Sequence, residues 1–348
     1  MIKNKYNCLI VGASYGSLLA MKLIMAGHSV KIVGQNHEVD AINKKGINVS
    51  IKTKLKQKKL ILNSKNYSKN LKAIDSSKVN CKEIDIAFFA LKEIHFSQNN
   101  IIELVKQLAE HKVPAVALMN MPPLTILKKN ENLKTKNYKN YYLNPEIWEI
   151  FDQKNLTATS ADPQTICNIC DGMVSHTVTL NSNFKISKFQ NFKHDRMLIN
   201  LENDIKNIRV NNQRVPILLK IYESKYIFMT KWPMLITGNY RCFTAKGIRS
   251  IKESVFHDLK YSEKIYNSIY NLCIKLGCSK NDLVEFRHYA NAAKKLIYPS
   301  SFSREIDKNK ISVERLDKLI KKISEEQSVK LNFLNDITEK IELRLDNN

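Results

Sequence analysis

Six residues near the start of the chain have the types and spacing to grip an anion. Gly12-Ala13-Ser14-Tyr15-Gly16-Ser17 stands between an apolar run, Cys8-Leu9-Ile10-Val11, and a helix-forming stretch, Leu18 to Met25. Ala26-Gly27-His28 then leads into a second apolar run, Val30 to Val33. The order is strand, tight turn, helix, strand. Glycines in such a turn let the main chain approach a pyrophosphate, whose charge meets the unpaired N–H groups and positive dipole end of the helix. In the G-x-G-x-x-G register Gly12 is the first glycine, and Ser14 and Ser17 stand for the second and third. Alternatively the loop is one residue shorter and Gly16 is the third. The candidate nucleotide contacts are Gly12, Ser14, Tyr15, Gly16, Ser17 and Gln35.

A carboxylate after the second strand would accept the ribose hydroxyls of NAD and repel a 2′-phosphate. Gly34-Gln35-Asn36-His37 offers none, which favours NADP. Lys44 and Lys45 follow, either to neutralise that phosphate or as a solvated helix end. Two further apolar runs, Ile84 to Leu91 and Ala115 to Met119, read as strands buried in a parallel sheet, with an amphipathic helix through Ile101, Ile102, Leu104, Val105 and Leu108 between them. They end at Lys92 and Asn120, a cation and an amide at the strand ends where open α/β sheets bind ligands.

The composition limits the function classes. The 348 residues carry 56 Lys and Arg against 33 Asp and Glu, a net charge of +23. A nucleic-acid partner would fit that sign, but the lysine stretches Lys52 to Lys59 and Lys128 to Lys139 are not interleaved with stacking aromatics, and arginine, the usual reader of base edges, is scarce. The field suits an anionic coenzyme and an anionic small-molecule substrate, so no nucleic-acid partner is expected. No apolar run approaches the roughly 20 residues that cross a bilayer, and no secretory leader precedes the first strand. A cytoplasmic protein without a membrane partner is expected. The 7 cysteines form no disulfide framework, and Cys167-x-x-Cys170 lacks a second pair at zinc spacing, so no metal is expected.

The pattern divides into residues 1–215, a dinucleotide-binding domain, and 216–348, a helical substrate domain. Residues 129 to 165 read as a connection with short elements. Met173 to Leu180 and Phe184 to Phe189 alternate as antiparallel strands added to the first domain, and a helix from about Asp195 to Ile208 closes it. Tyr222 to Leu235, Ser262 to Leu276, Leu283 to Leu296 and Val313 to Leu343 then read as helices.

The order of the glycine turn, "AINKKGINV" (Ala41 to Val49), "FALK" ending in Lys92, "ALMN" ending in Asn120, "KWPMLITGN" (Lys231 to Asn239) and "PSSFSREID" (Pro299 to Asp307) resembles the ketopantoate reductase (2-dehydropantoate 2-reductase) family, as a divergent member. The resemblance implies an NADPH-binding Rossmann domain followed by an all-α domain like that of 6-phosphogluconate dehydrogenase, reducing a 2-oxo acid to a 2-hydroxy acid in the cleft between them. It implies Lys92 near the cofactor, Asn120 beside nicotinamide and substrate, and Ser301 at the substrate carboxylate. The family's catalytic lysine is followed at four and eight residues by asparagines on one helix face. Here Lys231, Leu235 and Asn239 hold that spacing without the middle amide. A register keyed on Trp232-x-Met234-Leu235 would instead put Met234 in the lysine's place and leave no general acid. The family's later glutamate falls near Glu314, with a slip of one residue.

Reducing a ketone requires a proton donor to the developing alkoxide, a role that suits Lys231. Arg241 could clamp a carboxylate bidentately and compensate for the missing amide. The resemblance thus implies NADPH-dependent reduction in the pathway to pantothenate, with a homodimer left open. The departures at Leu235 and Glu314 also admit a related dehydrogenase acting on an opine-like imino acid, or an NADP-binding protein without turnover.

Overall fold

The computed structural model describes residues 5–52, 59–170, 172–244, 247–307 and 313–346. Most of the Lys52 to Lys59 stretch and the Cys170 side chain lie outside them. The chain divides into two units, Met1–Ile126 with Glu146–Glu223, and Leu127–Pro145 with Ser224–Asn348.

The first unit runs β1 (Asn7–Val11), α1 (Ala13–Met25), β2 (Ser29–Val33), α2 (Asn36–Lys45), β3 (Ile47–Lys52), β4 (Lys59–Asn63), β5 (Leu71–Ile74), β6 (Ile86–Phe89), α3 (Asn99–Glu110) and β7 (Ala115–Ala117). A single turn, α4 (Leu124–Leu127), precedes β8 (Leu156–Ala161), β9 (Gln164–Cys170), β10 (Met173–Leu180), β11 (Phe184–Ser187), α5 (Phe192–Lys206), the short ribbon β12 (Arg209–Val210) and β13 (Gln213–Arg214), and β14 (Leu219–Tyr222). The main sheet has the order β14-β11-β8-β7-β6-β1-β2-β5. From β5 to β8 every pair is parallel. Such strands are buried on both faces, which accounts for the continuous apolar runs of β1, β6 and β7. The order turns back at β1, with β2 and β5 on one side and β6 to β8 on the other. That is a topological switch point, and the fold is Rossmann-like as expected.

Two glycines let α1 lie close to this sheet. Gly12, at φ 110°, is in the left-handed region, and a Cβ there would sit 2.5 Å from the Ala90 carbonyl oxygen. A Cβ on Gly16 would run into Cγ2 of Ile10 on β1. Gly16 therefore has the helix-to-strand packing role of the fingerprint's third glycine, and the shorter-loop register describes the turn. Ser17 is buried on α1 and its hydroxyl donates to the Ala13 carbonyl.

Several elements depart from the sequence reading. β8 lies within the stretch read as a connection; its residues, Leu-Thr-Ala-Thr-Ser-Ala, are all buried but too small and polar to show an apolar run. The Thr157 hydroxyl is satisfied by the Ser187 carbonyl at 2.8 Å. β11 joins the main sheet antiparallel to β8, as the alternation suggested. β10 instead pairs antiparallel with β9 and parallel with β3, in a separate sheet of order β4-β3-β10-β9. β14 extends the first unit's sheet beyond residue 215, and residues 127–145 belong to the second unit.

The second unit is mostly helical: α6 (Trp232–Thr237), a two-residue ribbon of β15 (Phe243–Thr244) and β16 (Gly247–Ile248), α7 (Ile251–Phe256), α8 (Leu259–Lys275), α9 (Phe286–Ala293), α10 (Ser301–Ile306), α11 (Leu316–Glu326) and α12 (Phe333–Asp346). The helix read over 222 to 235 is instead the end of β14, a loop and a 3-10 segment Ile227–Lys231 leading into α6. The last long helix is broken between α11 and α12, where Ser328 has φ 55°. Tyr266, Phe286 and Tyr289 form an aromatic centre, with the Tyr266 and Tyr289 rings stacked at 5.1 Å.

Gly16→Ala should cost about 2 kcal/mol by overpacking against Ile10, read as a lower urea midpoint at unchanged slope. His176 on β10 is 1% exposed, and burial lowers its pKa to about 4. The unfolded chain therefore binds a proton between about pH 6.5 and pH 4 that the folded chain does not. Stability falls as pH drops through that window and levels off below it. His176→Gln should flatten that part of the stability profile relative to the unsubstituted protein, whereas an unchanged slope would locate the acid sensitivity elsewhere.

Candidate functional site

The strand register brings the N-terminal candidates to one sheet edge. Val11 lies opposite Val33 on one side and Phe89 on the other, and Phe89 lies opposite Ala117. Gly12, Gly34 and Ala90 thus leave the sheet level with one another. Lys92 and Asn120 each follow three residues after a paired position, Phe89 and Ala117. The Gly12 N–H donates to the Val33 carbonyl at 2.9 Å, and the Ala90 N–H donates to the Val11 carbonyl at 2.8 Å, so the three chain ends are tied together. Lys92 caps the 3-10 segment Glu93–Ser97 and Asn120 is half-buried.

The amino end of α1 opens beside Gly12. No side chain caps it and its first turn holds no acid, leaving its amides to an anion. Ser14 and Gln35 are exposed on either side of this mouth. The Tyr15 side chain turns inward, edge-on to Phe184, and its hydroxyl donates to the Pro163 carbonyl at 2.9 Å. Its pKa is raised by burial and then by Asp162, so the phenol stays protonated. Only the Tyr15 main chain faces the mouth. Cys167 on β9 lies within hydrogen-bonding reach of Ser14, and burial pushes its thiol up to about 11.

An acid stands one residue beyond Gly34-Gln35-Asn36-His37. Glu38, in the first turn of α2, folds back so that Oε2 accepts the Gln35 N–H at 2.9 Å, with Gln35 returning the bond in a capping box. The same oxygen is 2.9 Å from where a Cβ on Gly34 would be, and the Cβ of Ala13, the first residue of α1, is 2.8 Å from that point. A carboxylate therefore stands where β2 ends against the glycine turn. The signal was the Gln-x-x-Glu spacing of the box. Lys44 and Lys45 are exposed in the last turn of α2, about 10 Å along the helix from Glu38 at 1.5 Å per residue, where they complement the negative end of the dipole.

In the second unit, Lys231 is the N-cap of α6 and only 9% exposed, beside a fully buried Trp232. The two-turn face that would unite Lys231, Leu235 and Asn239 is interrupted, because α6 ends at Thr237 and Asn239 begins a 3-10 turn, Asn239–Arg241. Leu235 is buried, and Met234 packs on the aromatic centre around Tyr266 and Tyr289. Two of the predicted residues, Asn239 and Glu314, come near Tyr240 through their main-chain carbonyls. The Ser300 hydroxyl donates to the Asn239 carbonyl at 2.9 Å, Tyr240 stacks on Phe302 at 4.2 Å, and the Tyr240 hydroxyl donates to the main-chain carbonyl of Glu314 at 3.3 Å. Burial, then Glu314 and Asp317, raise the Tyr240 pKa. Ser300 is the inward serine and N-cap of α10, whereas Ser301 is exposed. Arg241 Nη1 donates to the Thr237 carbonyl at 3.2 Å and to the Ser262 hydroxyl at 2.8 Å, bonds that hold α6 to α8. Among the described residues no group of His, Cys, Asp and Glu is arranged to hold a metal, and no helix is long and apolar enough to cross a membrane.

Residues 8–136 match the family model described as Ketopantoate reductase PanE/ApbA. Over that segment the chain is similar to the ketopantoate reductase family. No curated protein matches the chain by sequence. Solved structures share its fold over nearly its whole length. A 2-dehydropantoate 2-reductase from Geobacter metallireducens GS-15 is 13% identical at TM-score 0.64, covering 97% of this chain and 99% of the other. A PanE/ApbA family ketopantoate reductase from Ralstonia eutropha JMP134 is 13% identical at TM-score 0.63, covering 98% and 99%. A D-mandelate dehydrogenase, solved with NADH and anilino(oxo)acetate, is 13% identical at TM-score 0.63, covering 97% and 98%.

Ser300→Ala should cost about 1 kcal/mol through the lost cap, while Ser301→Ala should stay within about 0.5 kcal/mol. Thermal unfolding of the two variants checks this, and equal losses would contradict the assignment of the inward role to Ser300.

Proposed function

We propose that the protein is a nicotinamide-dependent oxidoreductase of the ketopantoate reductase type, which reduces the keto group of a 2-oxo acid to a hydroxyl. The observation that carries this reading is the uncapped amino end of α1, opening on a glycine turn at the sheet's switch point within the segment matched by the family model. The uncapped, acid-free first turn of α1 fits a diphosphate. Gly12 makes the turn, Ser14 stands exposed at its mouth with the Tyr15 amide and Gln35, Gly16 and Ser17 are buried in α1 behind it, and Lys92 and Asn120 lie at the same sheet edge.

A reduced nicotinamide, when bound, supplies a hydride. The chain's own residues must then orient the keto acid and protonate the alkoxide oxygen. Lys231 is assigned the proton, and its charge stabilises the oxygen as negative charge develops there. Asn120, Asn239 and Glu314 are assigned to positioning, and Ser301 and Arg241 to the substrate carboxylate. For Arg241 this requires one of its two present bonds to be exchanged. The surplus of positive charge raises the local concentration of an anionic substrate.

A second reading keeps the chemistry and changes the substrate. Leu235 is buried where the family pattern has an amide, which favours a less polar 2-oxo acid than ketopantoate or a related imino acid. Loss of nicotinamide absorbance should follow addition of ketopantoate or another 2-oxo acid from a panel of polar and apolar side chains. Coenzyme binding without turnover on any of them would leave a binding protein. Lys231→Met should lower kcat by about 10² to 10⁴ with coenzyme affinity unchanged, and an undiminished kcat would assign the proton to another group.

A further inference from the structure

The carboxylate of Glu38 stands where β2 ends against the glycine turn. Two observations locate it: the bond to the Gln35 N–H at 2.9 Å, and its place 2.9 Å from where a Cβ on Gly34 would be, a point that Ala13 at the start of α1 also approaches. It also acts electrostatically on Cys167, itself beside Ser14, so the acid lies over the amino end of α1 and not over the outer face of α2. It is only half-buried, and among the described residues no lysine or arginine pairs with it. The nearest candidate cations in sequence, Lys44 and Lys45, are at the far end of α2. The residue directly after Gly34 is the neutral Gln35.

We propose that Glu38 selects the coenzyme, accepting a hydrogen bond from the free 2′-hydroxyl of the adenosine ribose and excluding a 2′-phosphate, so that the protein uses NADH. The proposal rests on the nicotinamide-coenzyme reading above and replaces the NADPH preference drawn from residues 34–37. A hydroxyl donating to an ionised carboxylate makes a charge-assisted bond. A 2′-phosphate would bring a second negative charge against the same oxygen, and among the described residues no guanidinium or ammonium group is paired with that oxygen to offset it. The capping box fixes the side chain in this position before any ligand arrives, since Gln35 and Glu38 satisfy each other's first-turn amides.

Calorimetric titration of the full chain with NADH and with NADPH, at one ionic strength, tests this directly. NADH should bind about tenfold tighter or better, and Glu38→Gln should reduce that preference at least about tenfold. Gln retains an amide oxygen for the Gln35 N–H, so the cap survives, and a purely capping role would leave the NADH-to-NADPH ratio unmoved. NADPH binding as tightly as NADH, or a ratio unchanged in Glu38→Gln, would overturn the assignment while leaving the coenzyme reading in place. If neither coenzyme binds, the coenzyme reading itself falls and this assignment with it.

Discussion

The candidate site depends on how closely the main chain leaving β1 passes its neighbours. At Gly12 the backbone lies so near the Ala90 carbonyl that no side chain can be accommodated, and its N–H is spent on the carbonyl of Val33. Gly34 is similarly confined between Ala13 and Glu38. These approaches draw the ends of β1, β2 and β6 into one mouth, and Gly16 seats α1 directly on β1 so that the helix points its free amides there. A larger residue at any of the three glycines would separate the helix end from the strand ends, and the anion-binding geometry with it.

The electrostatics of the mouth are divided. In the proposed reading the amino end of α1 attracts the diphosphate, and the chain's net positive charge adds a long-range pull. Glu38 sets a local negative charge beside it, assigned by the same reading to the ribose end. Attraction along the diphosphate and repulsion of any further phosphate combine affinity with discrimination, and both charges are fixed by main-chain bonds at helix starts. In the second unit the comparable device is aromatic. Tyr240, stacked on Phe302 and bonded to the Glu314 carbonyl, gathers segments around residues 240, 302 and 314 that are far apart in sequence.

The parallel core was legible because strands buried on both faces favour continuous apolar runs, and β6, β7 and β1 after Asn7 have them. The edge position of Lys92 and Asn120 followed from those strands alone. β8 was hidden by its threonines, serine and alanines, whose polarity is offset by bonds such as Thr157 to the Ser187 carbonyl. Helical periodicity around Tyr222 to Leu235 was misleading, since β14 and a 3-10 segment share the apolar residues that suggested one helix. That break also separates Lys231 from Asn239. Met234 could not be judged from sequence because its role as a packing residue is set by Tyr266 and Tyr289. Arg241 and Ser300 were equally illegible, because their partners, Ser262 and Asn239, are remote in sequence. Glu38 was missed although its spacing from Gln35 was visible. The capping box reads as a helix start, and only the fold brings that helix start against the glycine turn.

The central claim is that the first-turn amides of α1 hold the coenzyme's diphosphate. Hydrogen–deuterium exchange with and without saturating NADH addresses those amides directly, since they have no intrahelical partner. The account predicts slowed exchange over residues 12–17 and 34–38 when the coenzyme is present. Saturation by NADH with exchange at residues 12–17 unaltered would contradict it.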